Sequence, residues 1–549
     1  KANPRINVIS ATRIDNIFGG GYQAKLVGSP HINVNMEPGR ILAKYVKEDF
    51  VGEHKDTDGN VLWTGDHIVT EDGPEKGDGI LAIGTIGNVY GGGNMADIVG
   101  NTYVEIGTGT EHNDAGELVA ITPVRNAATI TGNVFGGGKG KADTFLCEKA
   151  MIGKDGDGVN NPDGGTHVTI GNGTVDGNVY GGGEIGRVEK NTVVTIGIGD
   201  GVAPDGTPTS APEIKGSVFG GGKGKETHGY AALVRGNPTV VIQGNAKVGH
   251  SVYGGGEIAS VARYKVAKTN EEAAANGVEV DMPYVLANNT SGKCIVKVLG
   301  YAEIGPDDMK MYHDNIAVDQ DKPDDWGHVF GAGKGIMPEG AYDYVNGVTK
   351  RMVSVKDAQG NIIGSDWEYF ADEATYITFI QTLALASKTD VTIGDHAFVK
   401  GSVYGGSENG LVQFDTDVKI QDECQIGNGD GVNRRYTTDE WAYDGSTVAR
   451  SLKECAHWDY GREEGTGENK KTIYAPYDPN ANATGNLDKY SNGKSTEGGR
   501  RIATDGHTYY GNVFGGGSGS VPYFDAEEGI SKYLNSAGTV KGNTKVTIS

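Results

Sequence analysis

Short runs in which hydrophobic and polar residues alternate recur along the whole chain. The clearest read Thr-x-Val-x-Ile-Gly, with β-branched residues at alternate positions, and this period of two is typical of β-strands. Such runs occupy residues 102–107, 166–171, 192–197, 389–394 and 544–549, with looser versions at 31–34, 239–244, 293–300 and 416–421. The pattern therefore predicts a long series of short strands.

A second element, here called the box, stands between these runs. It reads Asn, Ser or His, then Val or Ile, then Phe or Tyr, then three small residues that are nearly always Gly-Gly-Gly. Nine copies begin at Asn16, Asn88, Asn133, Asn178, Ser217, Ser251, His328, Ser402 and Asn512. A third short strand-like piece precedes most boxes, as at 128–131, 174–176, 213–215 and 246–248.

The shortest repeat unit decides the fold class. The first glycines of two successive boxes, Gly220 and Gly254, are 34 residues apart, which leaves room for three short strands but not for crossover helices. Since one such coil cannot bury its own hydrophobic face, neighbouring coils must stack. We predict an all-β fold, a parallel β-helix or β-solenoid built from Gly-rich repeats, with loop and short helical insertions. Residues 1–549 are expected to form a single continuous solenoid that is part of a longer chain, because neither end shows a polar cap.

Glycine makes up 90 of the 549 residues, and 25 of these glycines fall in the nine triplets. Collagen is excluded, because glycine does not recur at every third position and prolines number only 17. We expect the triplet glycines to provide either a positive φ angle or a close approach of the backbone to the next coil.

Two features alternate from box to box. The aromatic residue is Phe in odd copies and Tyr in even ones, and the residue after the triplet alternates in charge through Lys139, Glu184, Lys223, Glu257, Lys334 and Glu408. If equivalent positions lie one strand spacing apart, about 4.8 Å, alternating charges attract whereas like charges would repel. We predict a structural Lys/Glu ladder, which is a better account of Glu184 and Glu257 than a catalytic carboxylate pair. Stacked rings and an Asn/Ser hydrogen-bonded ladder are expected beside it. Boxes on opposite sides of a flattened sandwich remain an alternative.

Long insertions separate some of the repeat elements. One of them is predicted to contain a helix at 366–386, where apolar residues recur at helical spacing. The largest carries aromatic residues that could stack on sugar rings, anchor a protein contact or form a small core of their own: Trp441, Tyr443, Trp458, Tyr460, Tyr474 and Tyr477. The insertions occupy 37–84, 108–127, 142–165, 264–292, 306–326, 336–388 and 428–510.

Acidic Gly-rich turns raise the question of calcium. They contain Asp155, Asp157, Asp200 and Asp430, and oxygen-rich turns of this kind suit Ca²⁺. None completes an EF-hand loop with its twelfth-position Glu, and none belongs to a calcium-binding nonapeptide array. Ordinary Asp-Gly turn chemistry is the favoured interpretation, and no cofactor is required.

Charge and cysteine content limit the partners. Lys and Arg number 49 against 72 Asp and Glu, a net charge of −23, which argues against nucleic acid as a partner. No apolar run is long enough to span a membrane. Cys147, Cys294, Cys424 and Cys455 are too widely spaced for a zinc ribbon or a disulfide scaffold. The histidines are scattered and there is no nucleophile motif, so no catalytic residues are predicted.

The repeat resembles a known kind of protein. The sequence Gly-Asn-Val-Tyr/Phe-Gly-Gly-Gly at 132–138 and 177–183, with its Thr-x-Val-Thr-Ile-Gly companion, is similar to the glycine-rich β-repeats of very large secreted or surface proteins of Bacteroidetes bacteria. The resemblance implies export, extracellular or cell-surface display and a structural or adhesive role. It supplies no catalytic residues.

Three functions follow from these observations. The first is a non-enzymatic extracellular fibre or adhesin segment, which associates with itself or continues end to end and binds glycans or surface proteins of host or bacteria. The second is a carbohydrate-active β-helix enzyme, a polysaccharide lyase or glycosidase, with its cleft beside 336–388 or 428–510. The third is a glycan-binding module that uses the aromatic residues of 428–510.

Overall fold

The chain is mostly β, with two long parallel sheets, in agreement with the predicted all-β parallel solenoid. Each passage of the chain around the stack, here called a coil, adds strands to both sheets. The structure is a computed structural model that describes residues 3–9, 11, 13–36, 43–46, 53–55, 61–64, 67–70, 85–112, 118–123, 129–153, 164–199, 210–267, 269–276, 283–284, 290–306, 326–336, 349–427, 442–443, 446–447, 458–464, 471–476, 511–519, 523–525, 530–532 and 538–549.

The first sheet, here called the long face, consists of the alternating Thr-x-Val runs. Because β-branched residues fit a pleated, half-buried surface, the runs at 102–106, 166–170 and 192–196 form strands in which every second side chain is buried, whereas Thr544–Ile548 at the end of the sheet is exposed throughout. Val104 pairs with Val168, and Val168 with Val194, so equivalent residues of successive coils are direct neighbours. In sheet order the strands are Arg5–Val8, His31–Val34, Thr102–Ile106, Thr166–Ile170, Thr192–Ile196, Pro238–Ile242, Lys293–Val298, Lys388–Ile393, Thr416–Ile420 and Thr544–Ile548.

The second sheet holds the boxes and the short pieces that precede them. Phe135 pairs with Tyr180, and Tyr180 with Phe219, in parallel register. Successive boxes are therefore neighbours, and the flattened-sandwich alternative is wrong. The box strands are Arg13–Phe18, Thr85–Tyr90, Val134–Phe135, Val179–Tyr180, Val218–Phe219, Val252–Tyr253, Val329–Phe330, Val403–Tyr404 and Val513–Phe514. The strands before the boxes are Thr129–Ile130, Thr174–Val175, Glu213–Ile214, Lys247–Val248, Glu303–Ile304, Phe398–Val399 and Gln425–Ile426.

A third line of contacts follows the box in each coil. It is made mainly of single apolar residues, such as Ile98, Ile152 and Val188, each paired in parallel with its counterpart in the next coil. The sequence did not predict this line, because one apolar residue per coil forms no periodic run. Later coils have short strands here, at Leu385–Ala386, Leu411–Val412 and Thr539–Val540. Ile152 and Leu385 lie in the segments 142–165 and 336–388, so parts of those segments belong to the coil.

The main core lies between the long face and the second sheet. Val104 and Ile106 from the long face, with Ile130 and Val134 from the second sheet, belong to one cluster of fully buried residues that extends along the stack. Since the same positions recur in each coil, every coil buries its apolar side chains against the next one. This is the arrangement that a repeat unit too small for a core of its own requires.

Most triplet positions hold glycine because neighbouring coils approach closely there, and the exceptions are the small residues Ala332 and Ser407. A Cβ on Gly221 would lie 2.7 Å from the backbone nitrogen of Gly256, and one on Gly182 would lie 2.7 Å from the Cα of Gly222. Neither of these two glycines has a positive φ. Positive φ angles occur at glycines outside the triplets, for example at the corner after the long face, where Gly107 has φ +62°. The two expected roles of glycine thus belong to different positions of the coil.

The described parts of the insertions are mostly antiparallel hairpins. Their paired strands are Ala43–Val46 with His67–Thr70, Glu53–Lys55 with Val61–Thr64, Thr108–His112 with Leu118–Pro123, Lys265–Val266 with Pro283–Tyr284, Lys350–Lys356 with Ile362–Tyr369, Ala442–Tyr443 with Ser446–Thr447, Trp458–Glu464 with Lys471–Pro476, and Tyr523–Asp525 with Ile530–Lys532. A short helix, α1, spans Asn270–Asn276.

The helix predicted at 366–386 is only partly correct. Residues before Phe370 end the strand Ile362–Tyr369, and the helix α2 spans Glu373–Gln381, followed by a 3-10 turn at Thr382–Ala384. Helix α2 begins where it does because Asp372 is its N-cap and accepts a hydrogen bond from the backbone N–H of Thr375 at 2.8 Å. The preceding residues instead pair across a hairpin, and the strand Leu385–Ala386 ends the segment.

Candidate functional site

The box aromatics form one continuous column of stacked rings. Successive centroids are 4.6–5.0 Å apart and successive ring planes are within 15° of parallel. The column consists of Phe18, Tyr90, Phe135, Tyr180, Phe219, Tyr253, Phe330, Tyr404 and Phe514. The rings from Tyr90 to Phe330 are fully buried, so they stabilise the stack by burial as well as by ring contact.

The alternating charges after the triplet lie next to this column. Their residues pair in order from coil to coil, through Lys223 and Glu257 to Lys334 and Glu408. The Nζ of Lys334 is 3.5 Å from Glu408 Oε1, and the equivalent distance from Lys139 to Glu184 Oε2 is 3.8 Å. All six residues of the predicted ladder therefore occupy one line along the stack.

The tyrosines connect the ring column to the carboxylates two coils away. Tyr90 donates a hydrogen bond to Glu184 Oε2 at 2.5 Å, past the coil that contains Phe135. The Tyr180 hydroxyl donates in the same way to Glu257. The pair Tyr253 and Glu408 repeats the arrangement. The alternation of Phe with Tyr and that of Lys with Glu are thus one feature: Tyr90, Tyr180 and Tyr253 each reach the Glu of the next Tyr coil, and the unit of the repeat is two coils.

The chemical state of the tyrosines fits this role as donors. Burial, together with the hydrogen bond to Glu184, raises the pKa of Tyr90 well above its ordinary value. Burial and the nearby Glu257 charge raise the pKa of Tyr180 in the same direction. Burial raises the pKa of Tyr404 to about 12, and its hydroxyl bonds to Ser402 and Ser518 rather than to a carboxylate. The phenols of Tyr90 and Tyr180 therefore remain protonated and keep donating to the carboxylates.

Lysines of the intervening coils contact the same rings. The Nζ of Lys139 lies 5.8 Å from the centroid of the Tyr90 ring, and the Nζ of Lys334 lies 6.0 Å from that of Tyr253. Each ammonium group is thus next to the aromatic face of one neighbouring coil and the carboxylate of the other. A cation at this position balances the carboxylate that accepts from the tyrosine.

The first residue of each box forms a second ladder. The Oδ1 of Asn88 accepts from the backbone N–H of Asn133 at 2.8 Å, and Asn133 repeats this with Asn178. The series continues through Ser217, Ser251, His328, Ser402 and Asn512. Histidine fits at position 328 because its Nδ1 is the acceptor for the backbone N–H of Ser402, at 2.9 Å. The expected Asn/Ser ladder thus takes the form of side chains that accept from backbone groups.

Sequence reasoning missed a third ladder, made by the first threonine of the long-face runs. The Thr192 hydroxyl donates to the carbonyl of Gly220, the first triplet glycine of the following box, at 2.5 Å. Thr102, Thr166, Thr389 and Thr416 make the equivalent bond at 2.5–2.6 Å. The signal in the sequence was the recurrence of Thr at one fixed place, where any β-branched residue would have served the strand equally well.

The candidate ligand-binding residues are described only in part. Tyr443 lies in the strand Ala442–Tyr443, Trp458 and Tyr460 lie in Trp458–Glu464, and Tyr474 lies in Lys471–Pro476. Trp441 and Tyr477 fall outside the described residues, and so do the candidate calcium ligands Asp155, Asp157, Asp200 and Asp430.

The described part of the chain was also searched for metal ligands, disulfides and membrane-spanning helices. It contains no group of three or more His, Cys, Asp or Glu residues placed to hold a metal ion. The thiols of Cys147, Cys294 and Cys424 are free, whereas Cys455 is not among the residues described. Within the same ranges, no helix is both long and apolar enough to cross a membrane.

Comparison with known proteins gives no relative. No family model, no curated protein and no solved structure matches the chain.

Proposed function

We propose that the chain is a non-enzymatic segment of an extracellular structural or adhesive repeat protein, a parallel β-solenoid rod with insertions on its flanks. The observation that supports this most is the hydrogen bond from Tyr90 to Glu184 across an intervening coil. The polar residues that recur in the sequence make hydrogen bonds between coils. A rod requires such bonds between its successive coils.

A ladder of this kind can be extended without changing its contacts. Each two-coil unit offers a Tyr to the unit on one side and a Glu to the unit on the other, so further units repeat the same bonds. The free energy of folding of such a stack is approximately a sum of contributions from each unit and its interfaces with its neighbours. Added units therefore extend the stack without new kinds of contact. The net charge of −23 supports solubility at high copy number.

The insertions supply the surface on which adhesion would depend. Their described hairpins are inserted between repeat elements, so a change in a hairpin leaves the residues of the ladders in place. Glycans or surface proteins of host or bacterial cells are the proposed partners. The resemblance of the boxes to Bacteroidetes surface repeats supports an extracellular or cell-surface location.

Two assays on the purified 549-residue chain test this proposal. A glycan array combined with an assay for released reducing ends separates adhesion from catalysis. We expect no release of reducing ends from any polysaccharide, and release would overturn the non-enzymatic proposal. High-resolution electron microscopy should show a layer of ten strands stacked over about 43 Å at the usual strand spacing. Particles without this stacked layer would contradict the rod.

A further inference from the structure

The hairpin of Lys350–Lys356 and Ile362–Tyr369, here called the flank hairpin, lies along the side of the stack. It contacts coils that are distant in sequence: the backbone N–H of Met352 donates to the Thr227 carbonyl at 2.8 Å, and the backbone N–H of Phe145 donates to Ser365 Oγ at 2.8 Å. Between these two contacts the ring of Trp367 meets the ring of His228 edge to face, with centroids 5.6 Å apart. The hairpin is thus attached near His228.

His228 is a titratable group enclosed by this attachment. Its side chain is only 1% exposed, its Nδ1 is 2.8 Å from the Thr227 hydroxyl, and its Nε2 has no hydrogen-bond partner. The neutral ring has one hydrogen bond, to the threonine, and packs against the ring of Trp367. A second proton would place a charge in a buried position with no acceptor for Nε2, which is costly.

The charged groups around the His228 ring influence whether it takes up a proton. From its own loop come Lys225, which disfavours the cation, and Glu226, which favours it. Asp143, on the neighbouring loop, also favours the cation, but its carboxylate is engaged by Lys149 at 2.6 Å.

Two further elements pack around this attachment. On the hairpin, Lys350 holds its Nζ 4.3 Å from the centroid of the Trp367 ring, so a ring that could have stabilised a histidinium already has a cation beside it. From helix α2, the phenol of Tyr376 lies near Glu226, and the Phe379 ring approaches Gly229. These groups together favour the neutral ring.

We propose that the flank hairpin is a pH-sensitive strap, docked on the stack while His228 is neutral and released when His228 takes up a proton. The base of the hairpin stays attached, because the residues after it pack on the stack through a separate apolar cluster that includes Phe370, Phe379 and Leu383. The free part is already apolar at the surface, with Ile363 66% and Tyr369 57% exposed. Release adds Met352, which is buried in the docked hairpin, and more of Trp367, which is already 38% exposed; a larger apolar surface is the chemistry of an adhesive contact.

Hydrogen–deuterium exchange of the full chain tests the strap. On passing from about pH 7.5 to about pH 5, and after correction for intrinsic exchange, we expect the amides of the flank hairpin to exchange about tenfold faster or more. The reason is that a tenfold difference in proton affinity of His228 between the docked and released hairpin changes the docking equilibrium by up to the same factor. The peptides of the long face should show no such change. Equal protection of the hairpin at both values would overturn the proposal.

Three variants assign the effect. His228→Phe keeps an aromatic ring without a proton, so the hairpin should remain protected at both pH values. Lys350→Met removes the facing cation and should move the release to lower pH. His396→Phe, at a half-exposed histidine far along the chain, should leave the release unchanged. Release that persists in His228→Phe, with an unchanged circular dichroism spectrum, would exclude His228 as the switch. The rod proposal does not depend on this outcome, since the strap is absent from the ladders.

Discussion

Tyr90 and Glu184 are separated by 94 residues and by one complete coil, yet the tyrosine hydroxyl donates directly to the carboxylate. The intervening coil contributes a Phe, which needs no hydrogen-bond partner, and Lys139, which lies near both the Tyr90 ring and Glu184. If every coil had a tyrosine, half of the tyrosine hydroxyls would point at a lysine two coils away, which cannot accept a hydrogen bond. Because Phe alternates with Tyr, each of these positions holds a Phe instead.

Removing one hydroxyl should weaken the stack locally. Tyr180→Phe leaves Glu257 without its donor, and we expect a loss of about 1–3 kcal/mol in the free energy of unfolding. Urea denaturation measures it. Tyr369→Phe is the control, because Tyr369 is 57% exposed on the flank hairpin, and it should change stability by less than about 0.5 kcal/mol. Equal losses in both variants would argue against the role of the Tyr–Glu bond.

The order of charges in the ladder should matter in itself. Lys334→Glu puts a third carboxylate between Glu257 and Glu408, so we expect a loss of stability that shrinks as salt screens the repulsion. The midpoint of thermal unfolding in low and high salt measures this. Lys356→Glu changes the charge equally on the exposed flank hairpin and should have little effect. A loss with no dependence on salt would show that packing, rather than charge, is responsible.

The first glycine of the triplet, which is Gly in all nine boxes, should tolerate no side chain. Gly220→Ala places a methyl group 2.3 Å from the carbonyl oxygen of Gly254, and backbone cannot move aside without separating the coils. We expect a loss of about 3 kcal/mol or more, or failure to fold. Gly364→Ala is the matched control, since its nearest neighbour is a side-chain atom of Val355 at 4.0 Å. Similar melting temperatures for the two variants would be incompatible with close stacking of the coils.

The threonine ladder gives an isosteric test. Thr192→Val keeps the shape of the side chain but leaves the buried Gly220 carbonyl without the threonine hydroxyl, and we expect a loss of about 1–3 kcal/mol. Thr169→Val, on the outward side of the adjacent strand, makes the same chemical change at a half-buried site and should be nearly neutral. Chemical denaturation of the two variants compares them directly.

Alkaline pH should destabilise the stack through the tyrosines. The pKa of Tyr90 and that of Tyr180 are raised above the ordinary value of 10.0, so the stability they contribute is complete below pH 10 and is lost as the pH rises toward the folded-state pKa values. The unfolded chain then releases protons that the folded chain retains. Phenolate absorbance during unfolding at about pH 11 should appear together with loss of structure, and a variant with Phe at both positions should depend less steeply on pH.

The strands and their stacking could be predicted from the sequence, because alternation reports one buried face and a repeat of this length must stack. Thr166–Ile170 and Val179–Tyr180 are both where the pattern indicates. The reach from Tyr180 to Glu257 could not be predicted, since it depends on the distance between coils and on the direction of two side chains. A pattern along the chain carries neither quantity.

The remaining differences have similar causes. Trp367 fits the apolar spacing of the predicted helix as well as a strand pattern, and its pairing with Met352 decides for the strand. The third line of contacts has no signal in the sequence because a single Ile98 or Val188 in each coil has no period. Ile185 has φ of +63°, a conformation unfavourable for a β-branched residue, and no local sequence rule would place it there.

A double-mutant cycle tests the two-coil unit most directly. Tyr180→Phe is combined once with Glu257→Gln, two coils away, and once with Glu184→Gln in the same coil as Tyr180. With a two-coil unit we expect a coupling energy of about 1 kcal/mol or more in the first cycle and a value within about 0.5 kcal/mol of zero in the second. Coupling absent from the first cycle, or equal in both, would contradict a stack whose repeating unit is two coils.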